Sequence, residues 1–283
     1  MKLIRFGDEG KEKPGVCLYD KWYDVSGFIR DYDEQFFANG GLPHLAFMVQ
    51  QHETMLQEVS KTTRLGSPIA RPSKIVCIGL NYADHAKETG AATPSEPIIF
   101  MKSTTALCGP NDNIIIPRDS EKTDWEVELA VVIEKKASYV TEAEAMDYVA
   151  GYALHNDVSE RAFQLEMNGT WDKGKGCDTF APIGPWLVTK DEIADVNNLK
   201  LWLTLNGKTM QDGTTANLIF NIPFLVSYIS RFMTLLPGDV ISTGTPAGVG
   251  LGFKPAIFLK PGDVVELGID GLGSSKQTLV AYK

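Results

Sequence analysis

The chain has 283 residues, enough for one large domain or for a small domain attached to a larger one. Hydrophobic residues make up 43% and charged residues 22%, an ordinary globular balance, and a net charge of −9 argues against nucleic acid or anionic membrane as the main partner. The same charge repels an anionic substrate, so such a substrate would need a local cation or metal.

The opening MKLIRFGDEGKEKPG reaches charged residues too early for a signal peptide, and no apolar run approaches the ~20 residues of a membrane span. A cytoplasmic location is expected. Cys17, Cys77, Cys108 and Cys177 are scattered without a Cys-x-x-Cys pair, which points to free, mostly buried thiols.

In chain order, LIRFG and VCLYD-KWYDV read as short strands and a helical stretch follows from His44 to Val59. These form a small α+β domain over residues 1–70. The segment LGSPIARPSK (65–74), with two prolines, reads as a linker to a domain over 71–283. There KIVCIGLNY is a buried strand running into a turn. From residue 98 the pattern is strand-rich, through IIFMK, NIIIP, DWEVELAVVIEK, LWLTLNGK, DVISTGT and DVVELGI. Helical stretches interrupt it at TEAEAMDYVAGYA, SERAFQLE and LIFNIPFLVSYISRFM. Pro-Gly-Asp at 237–239 and at 261–263 precedes a β-type run each time, as a type II turn would. The class is α+β, mostly β, with peripheral helices.

The strongest local signal is DWEVELAVVI. Alternation places Trp125, Val127, Leu129 and Val131 on one face and Glu126 and Glu128 on the other, followed by Ala130 and Val132. Both faces turn apolar within two residues, as in a strand buried on both sides. Two ionised carboxylates there require protonation or a cation. The competing reading is an edge strand whose glutamates face water. In GYALHNDVSERAFQ a third carboxylate, Asp157, stands where a strand gives way to a helix. With Glu160 three residues on, it also fits a capping box. An all-carboxylate set selects a hard cation, Mg²⁺ or else Mn²⁺ or Ca²⁺, over zinc. His155 lies close by and reads equally as a core residue. Arg161 and Gln164 share a helix face, where one could clamp a substrate carboxylate and the other donate to an oxyanion, unless that face is simply solvated.

In GLNYADHAKETG, Asn81 is placed to cap a short helix carrying His85 and Glu88 at i, i+3. A carboxylate beside an imidazole suits a general base acting on water. An exposed chance pair is the alternative. Lys175 lies between two glycines in WDKGKGCDTFAPIGPW, a loop that its aromatic residues indicate is packed, with Lys173 as the competing lysine. The glycine-rich STGTPAGVGLG (242–252) is followed by no helix and so does not read as a nucleotide loop. Amides around Thr245 could still hold a carboxylate. No Gly-x-Ser-x-Gly elbow or Cys-His signature is present, which disfavours a serine or cysteine nucleophile.

Taken in order, GLNYADHAKE, FMKSTTAL, WEVELAVVI, NDVSERAFQ, KGCDTFAPIGPW and GDVISTGTPAGVG resemble the fumarylacetoacetate hydrolase superfamily from residue 71 to the end. The resemblance implies a mixed β-roll, a homodimer or dimer of dimers, and Mg²⁺ held by Glu126, Glu128 and Asp157. It implies a catalytic dyad of His85 and Glu88 on a lid that orders with ligand, and substrate contacts from Lys175, Arg161, Gln164 and Thr245. Ser103 stands where relatives often carry proline. The N-terminal segment, with KGCDTFAPIGPW, is most similar to bacterial hydrolases of 2,4-diketo-3-deoxy-L-rhamnonate and L-fuconate. The implied activity is hydrolysis of the C3–C4 bond of a small-molecule 2,4-diketo acid to pyruvate and an acid such as L-lactate. Acylpyruvate hydrolase, oxaloacetate decarboxylase, keto-enol isomerase, ureidoglycolate lyase and a non-catalytic metal-stabilised binding protein are the alternatives.

Overall fold

A computed structural model describes residues 1–89 and 92–283. Strand (34%) outweighs helix (22%), so the observed class is α+β and mostly β. The larger sheet runs in the order Gln57–Val59, Lys21–Asp24, Lys13–Leu18, Lys2–Phe6, Leu187–Thr189, Val149–Asn156, Val127–Ile133, Val240–Ser242, Ile75–Gly79 and Ile98–Lys102. A short strand, Leu65–Gly66, pairs beside it with Lys2–Phe6. The second sheet runs Lys208–Thr214, Lys200–Leu205, Val264–Ile269, Gly273–Ala281 and Ile114–Ile116. Apolar faces of both sheets belong to one core, in which Leu129 and Val131 join Leu201, Leu203 and Leu267.

Val127–Ile133 lies deep in the larger sheet, antiparallel to Val149–Asn156 on one side and to Val240–Ser242 on the other, and every residue in it is buried. A strand covered on both faces reads as a continuous apolar run, which explains LAVVI after the two glutamates. The N-terminal strands extend this sheet, because Lys2 and Leu3 pair with Val188 and Leu187. Leu3, Val16, Phe37 and Leu45 share the core with Val76 and Val131.

Several boundaries differ from expectation. The helix expected over His44 to Val59 is Gly41–His52, followed by a single 3-10 turn at Glu53–Met55. Gln57–Val59 leaves the helix to pair with the edge strand Lys21–Asp24, whose outer backbone groups would otherwise lack partners. Residues 65–70 are all buried and partly β-paired, so the segment read as a linker is packed structure. The helix expected at TEAEAMDYVAGYA is only a 3-10 turn, Ala145–Tyr148, because Val149 already belongs to the sheet. The later helix begins at Ile222 rather than Leu218, with Asn221 accepting from the Phe224 amide as its cap.

Both Pro-Gly-Asp turns form alike. Gly238 and Gly262 take φ of 84° and 93°, and the following aspartate amide bonds back to Leu236 and Lys260 respectively, at 3.0 Å in each turn. A residue at +80° is what a type II turn demands at that position.

Candidate active site

The strand Val127–Ile133 and the end of Val149–Asn156 bring three carboxylates together. Glu126, Glu128 and Asp157 are 6%, 1% and 0% exposed, which rules out the edge-strand reading. Each offers an oxygen within 4.8 Å of the others. Asp157 does not cap the following helix. Glu160 does, accepting from the Ala162 amide at 3.1 Å, while the Asp157 carboxylate turns inward to two ammonium groups.

Those cations decide the electrostatics. Lys175 Nζ donates to Glu126 Oε2 at 2.7 Å and to Asp157 Oδ2 at 2.9 Å. Lys102 Nζ donates to Asp157 Oδ1 at 2.5 Å and to the Val158 carbonyl at 3.0 Å. Arg161 lies between Asp124 Oδ2, 2.8 Å from Nε, and Glu126 Oε1, 2.8 Å from Nη2. Burial pushes the Asp157 carboxyl up, but Lys102 and Lys175 outweigh it and hold the group well below the usual carboxylate range. Burial likewise opposes ionisation of Glu126, and Lys175 and Arg161 reverse it. Glu128 has no such partner. Burial first, then the neighbouring Asp157 and Glu126, push it well above its ordinary value, although Ser242 Oγ and the Gly244 amide both donate to Oε2.

Four buried acids, Asp124, Glu126, Glu128 and Asp157, thus face three buried cations, Lys102, Arg161 and Lys175. Glu128 is the acid left without a cationic partner. A hard divalent cation fits this set, since all donors are carboxylate oxygens with spare lone pairs. His155 stays out of it. Its Nδ1 lies 2.6 Å from Ser242 Oγ, and burial holds its pKa at about 3, so the ring is neutral.

The glycine-rich loop after Val240–Ser242 is occupied by the protein's own acids. The Gly244 amide donates to Glu128, the Gly248 amide to Glu88, and the Gly250 and Leu251 amides to the two oxygens of Asp124. Thr245 Oγ1 donates to the Val127 carbonyl at 2.9 Å and accepts from Gln211 Nε2 at 2.8 Å. The amides near Thr245, those of Gly244 and Gly248, are thus engaged by internal carboxylates.

His85 lies on the helix Ala83–Thr89, with Nδ1 3.3 Å from Glu88 Oε2. Asn81 does not cap that helix. Its amide group donates to the carbonyls of Thr243 and Phe220 and accepts from the Phe220 amide, tying this strand end to two other loops. Gly252 makes room for Glu88, since a Cβ there would lie 2.5 Å from the carboxylate carbon. Gly174 serves packing, not a ligand: a Cβ there would meet the Glu160 carbonyl at 2.4 Å and Gln164 Cβ at 2.6 Å. The turn Asp172–Lys175 can therefore lie on the helix Arg161–Leu165, which delivers Lys175 to the triad. Lys173 points out and donates to the Met167 carbonyl.

A cavity of about 180 Å³ opens onto this cluster, lined by His85, Glu126, Glu128, Arg161, Gln164, Lys175 and Thr245 at its polar end. The Gln164 carbonyl accepts from Arg161 Nη1 at 3.1 Å, which directs its amide NH₂ away from the guanidinium. The family model for fumarylacetoacetate (FAA) hydrolase C-terminal domains matches residues 74–280, most of the chain. The protein belongs to the fumarylacetoacetate hydrolase family. This FAA hydrolase family member is 51% identical to a provisionally named hydrolase of Burkholderia cenocepacia, over 98% of each chain. It is also similar to the crystal structure of a probable 2-hydroxyhepta-2,4-diene-1,7-dioate isomerase from Mycobacterium abscessus, with 32% identity, a TM-score of 0.85 and full coverage of both chains. A third similar protein is maleylpyruvate hydrolase from Sphingobium sp. SYK-6, solved with manganese(II) and pyruvate (27% identity, TM-score 0.83, full coverage of both).

Two residues of the candidate site escaped the sequence reading. Lys102 looks like an ordinary charged strand end, yet it shares a buried face with Phe100. Asp124 continues the acidic alternation one step before Glu126 and is fully buried. The pattern Asp-x-Glu-x-Glu was the available signal. Among the described residues no helix is long and apolar enough to cross a membrane.

Proposed function

We propose that this protein is a Mg²⁺- or Mn²⁺-dependent hydrolase that cleaves the C3–C4 bond of a 2,4-diketo acid, releasing pyruvate and a carboxylic acid. The observation that carries the reading is a cluster of three buried carboxylates, two of which, Glu126 and Glu128, line a cavity that also bears His85, itself paired with Glu88. A structural neighbour that acts on maleylpyruvate and holds manganese and pyruvate supports the same substrate class.

When bound, the dication would be held by Glu126, Glu128 and Asp157, and would supply charge for the anionic substrate and Lewis-acid stabilisation of the departing enolate. The rest falls to the chain's own groups. Glu88, fixed by the Gly248 amide, orients His85 to take a proton from water. The resulting hydroxide attacks C4, and the Gln164 amide NH₂ donates to the oxyanion. As the tetrahedral centre collapses, the C3–C4 bond breaks and its electron pair passes into the pyruvate enolate, next to the Lys175 ammonium. The proton held by His85 returns to C3. Arg161 acts by fixing Glu126 and Gln164 rather than by gripping the substrate carboxylate, because its three partners, Asp124, Glu126 and Gln164, are internal.

A second reading, keto-enol isomerisation, is favoured by the likeness to the mycobacterial isomerase and would use the same enolate-stabilising groups without attack at C4. The test is pyruvate release from a panel of 2,4-diketo acids with oxaloacetate as the decarboxylation control, in Mg²⁺ and in EDTA. Metal-dependent pyruvate from diketo acids supports the hydrolase. Proton exchange at C3 without pyruvate supports the isomerase, and carbon dioxide from oxaloacetate alone supports a decarboxylase.

A further inference from the structure

The cavity has two chemically distinct ends. Beyond the charged wall it is lined by Ile78, Phe100, Trp171, Leu165, Val249 and Leu251. We propose that this end receives an apolar acyl tail, longer than methyl and either aryl or branched alkyl, and that Trp171 sets this preference. The proposal rests on the diketo-acid reading and specifies the group attached at C4.

Trp171 is a fixed wall. Its ring lies across the strand end at Gly79, where a Cβ would stand 2.4 Å from Cζ3 and 2.9 Å from Cη2. It also meets Phe100 edge-on, with centroids 5.3 Å apart and planes at 62°. Phe100 marks the border between the ends, because the Lys175 ammonium lies 5.0 Å from its ring centroid on the charged side. Any side chain on Gly79 would displace the indole, so the strand Ile75–Gly79 is shaped around it.

The mouth is apolar as well. Leu165 and Leu251 stand there 47% and 38% exposed. The backbone segments that carry them are tied to the charged network. The Leu251 amide donates to Asp124 Oδ2, and the same oxygen accepts from Arg161 Nε at the start of the helix that carries Leu165. Two leucines held in water at a cavity mouth are surface that an apolar ligand would cover. A tail hydroxyl placed among these side chains would give up water without gaining a partner. The 1-hydroxyethyl tail of a 3-deoxy-L-rhamnonate derivative is therefore the poorer match.

The experiment measures pyruvate release from diketo acids whose C4 tails are methyl, butyl, isobutyl, phenyl and 1-hydroxyethyl. In parallel, calorimetry measures Mn²⁺-dependent binding of non-cleavable 2-keto acids, from pyruvate to 2-keto-4-phenylbutanoate. Affinity and kcat/KM should rise roughly fourfold for each methylene buried. Trp171→Ala should flatten that rise, and Leu165→Ser, at an exposed site with little risk to folding, should blunt it. A flat or falling series, or a best substrate bearing the hydroxyl, overturns the inference while leaving the hydrolase standing. If no diketo acid is cleaved, the hydrolase reading fails, and the binding series alone still decides the tail preference.

Discussion

Lys102 Nζ and Asp157 Oδ1 lie 2.5 Å apart, and neither side chain reaches water. The pair is an internal counter-charge for the carboxylate cluster, and it persists because Lys175 takes the other Asp157 oxygen. Removing one member of a buried pair leaves the other uncompensated, which costs more than the pair contributes when intact. Lys102→Met should therefore destabilise the metal-free protein by about 3 kcal/mol. Urea unfolding in EDTA measures this, and the loss should shrink in Mg²⁺, where a dication replaces the missing charge. Equal midpoints for variant and wild type would show that the ammonium is dispensable.

Glu128 and Asp157 should respond in opposite ways to loss of charge. Glu128 is pushed up by burial and by its acidic neighbours, so it is the member of the triad whose ionisation the metal-free protein opposes most. Glu128→Gln should leave Tm in EDTA nearly unchanged but abolish the rise in Tm that Mn²⁺ produces in the wild type. Asp157→Asn strips the partner of two lysines and should lower Tm even in EDTA. Thermal melts with and without metal separate the two, and a large metal-free loss in Glu128→Gln would contradict the charge assignment.

His85→Ala should lower kcat by about 100-fold or more if the imidazole is the base. Gly252→Ala tests its support, since the added methyl would crowd the Glu88 carboxylate. A decrease of between tenfold and about 100-fold, with KM little changed and the pH profile displaced, is expected from misplaced catalytic groups. Full activity in His85→Ala would rule out the role.

Glu12 predicts a pH dependence of stability away from the site. Burial pushes its carboxyl up, but the hydrogen bond from Arg64 at 2.9 Å and the charges of Arg5 and Arg64 outweigh this and lower it. With a folded pKa below the unfolded value of about 4.3, the stabilisation is present above that value and disappears as pH falls through the folded one. The Tm gap between wild type and Glu12→Gln should be largest near neutral pH and close on acidification below pH 4. A gap that widens in acid would reverse the sign.

The sequence alone determined the metal-ligand candidates and the class of the fold. Both follow from short-range rules: alternation put Glu126 and Glu128 on one face of an apolar strand, and Pro-Gly-Asp required the two turns. Only the tertiary structure decided which cations answer those acids. Lys102, Arg161 and Asp124 are distant in the chain from the groups they serve, and a lysine at a strand end looks the same in sequence whether it meets water or a buried aspartate. The same limit explains the shortened helix at His52 and the buried segment 65–70, where local pattern favoured helix and linker. Strand pairing and core burial won there because they satisfy backbone groups and cover apolar area that no local window contains.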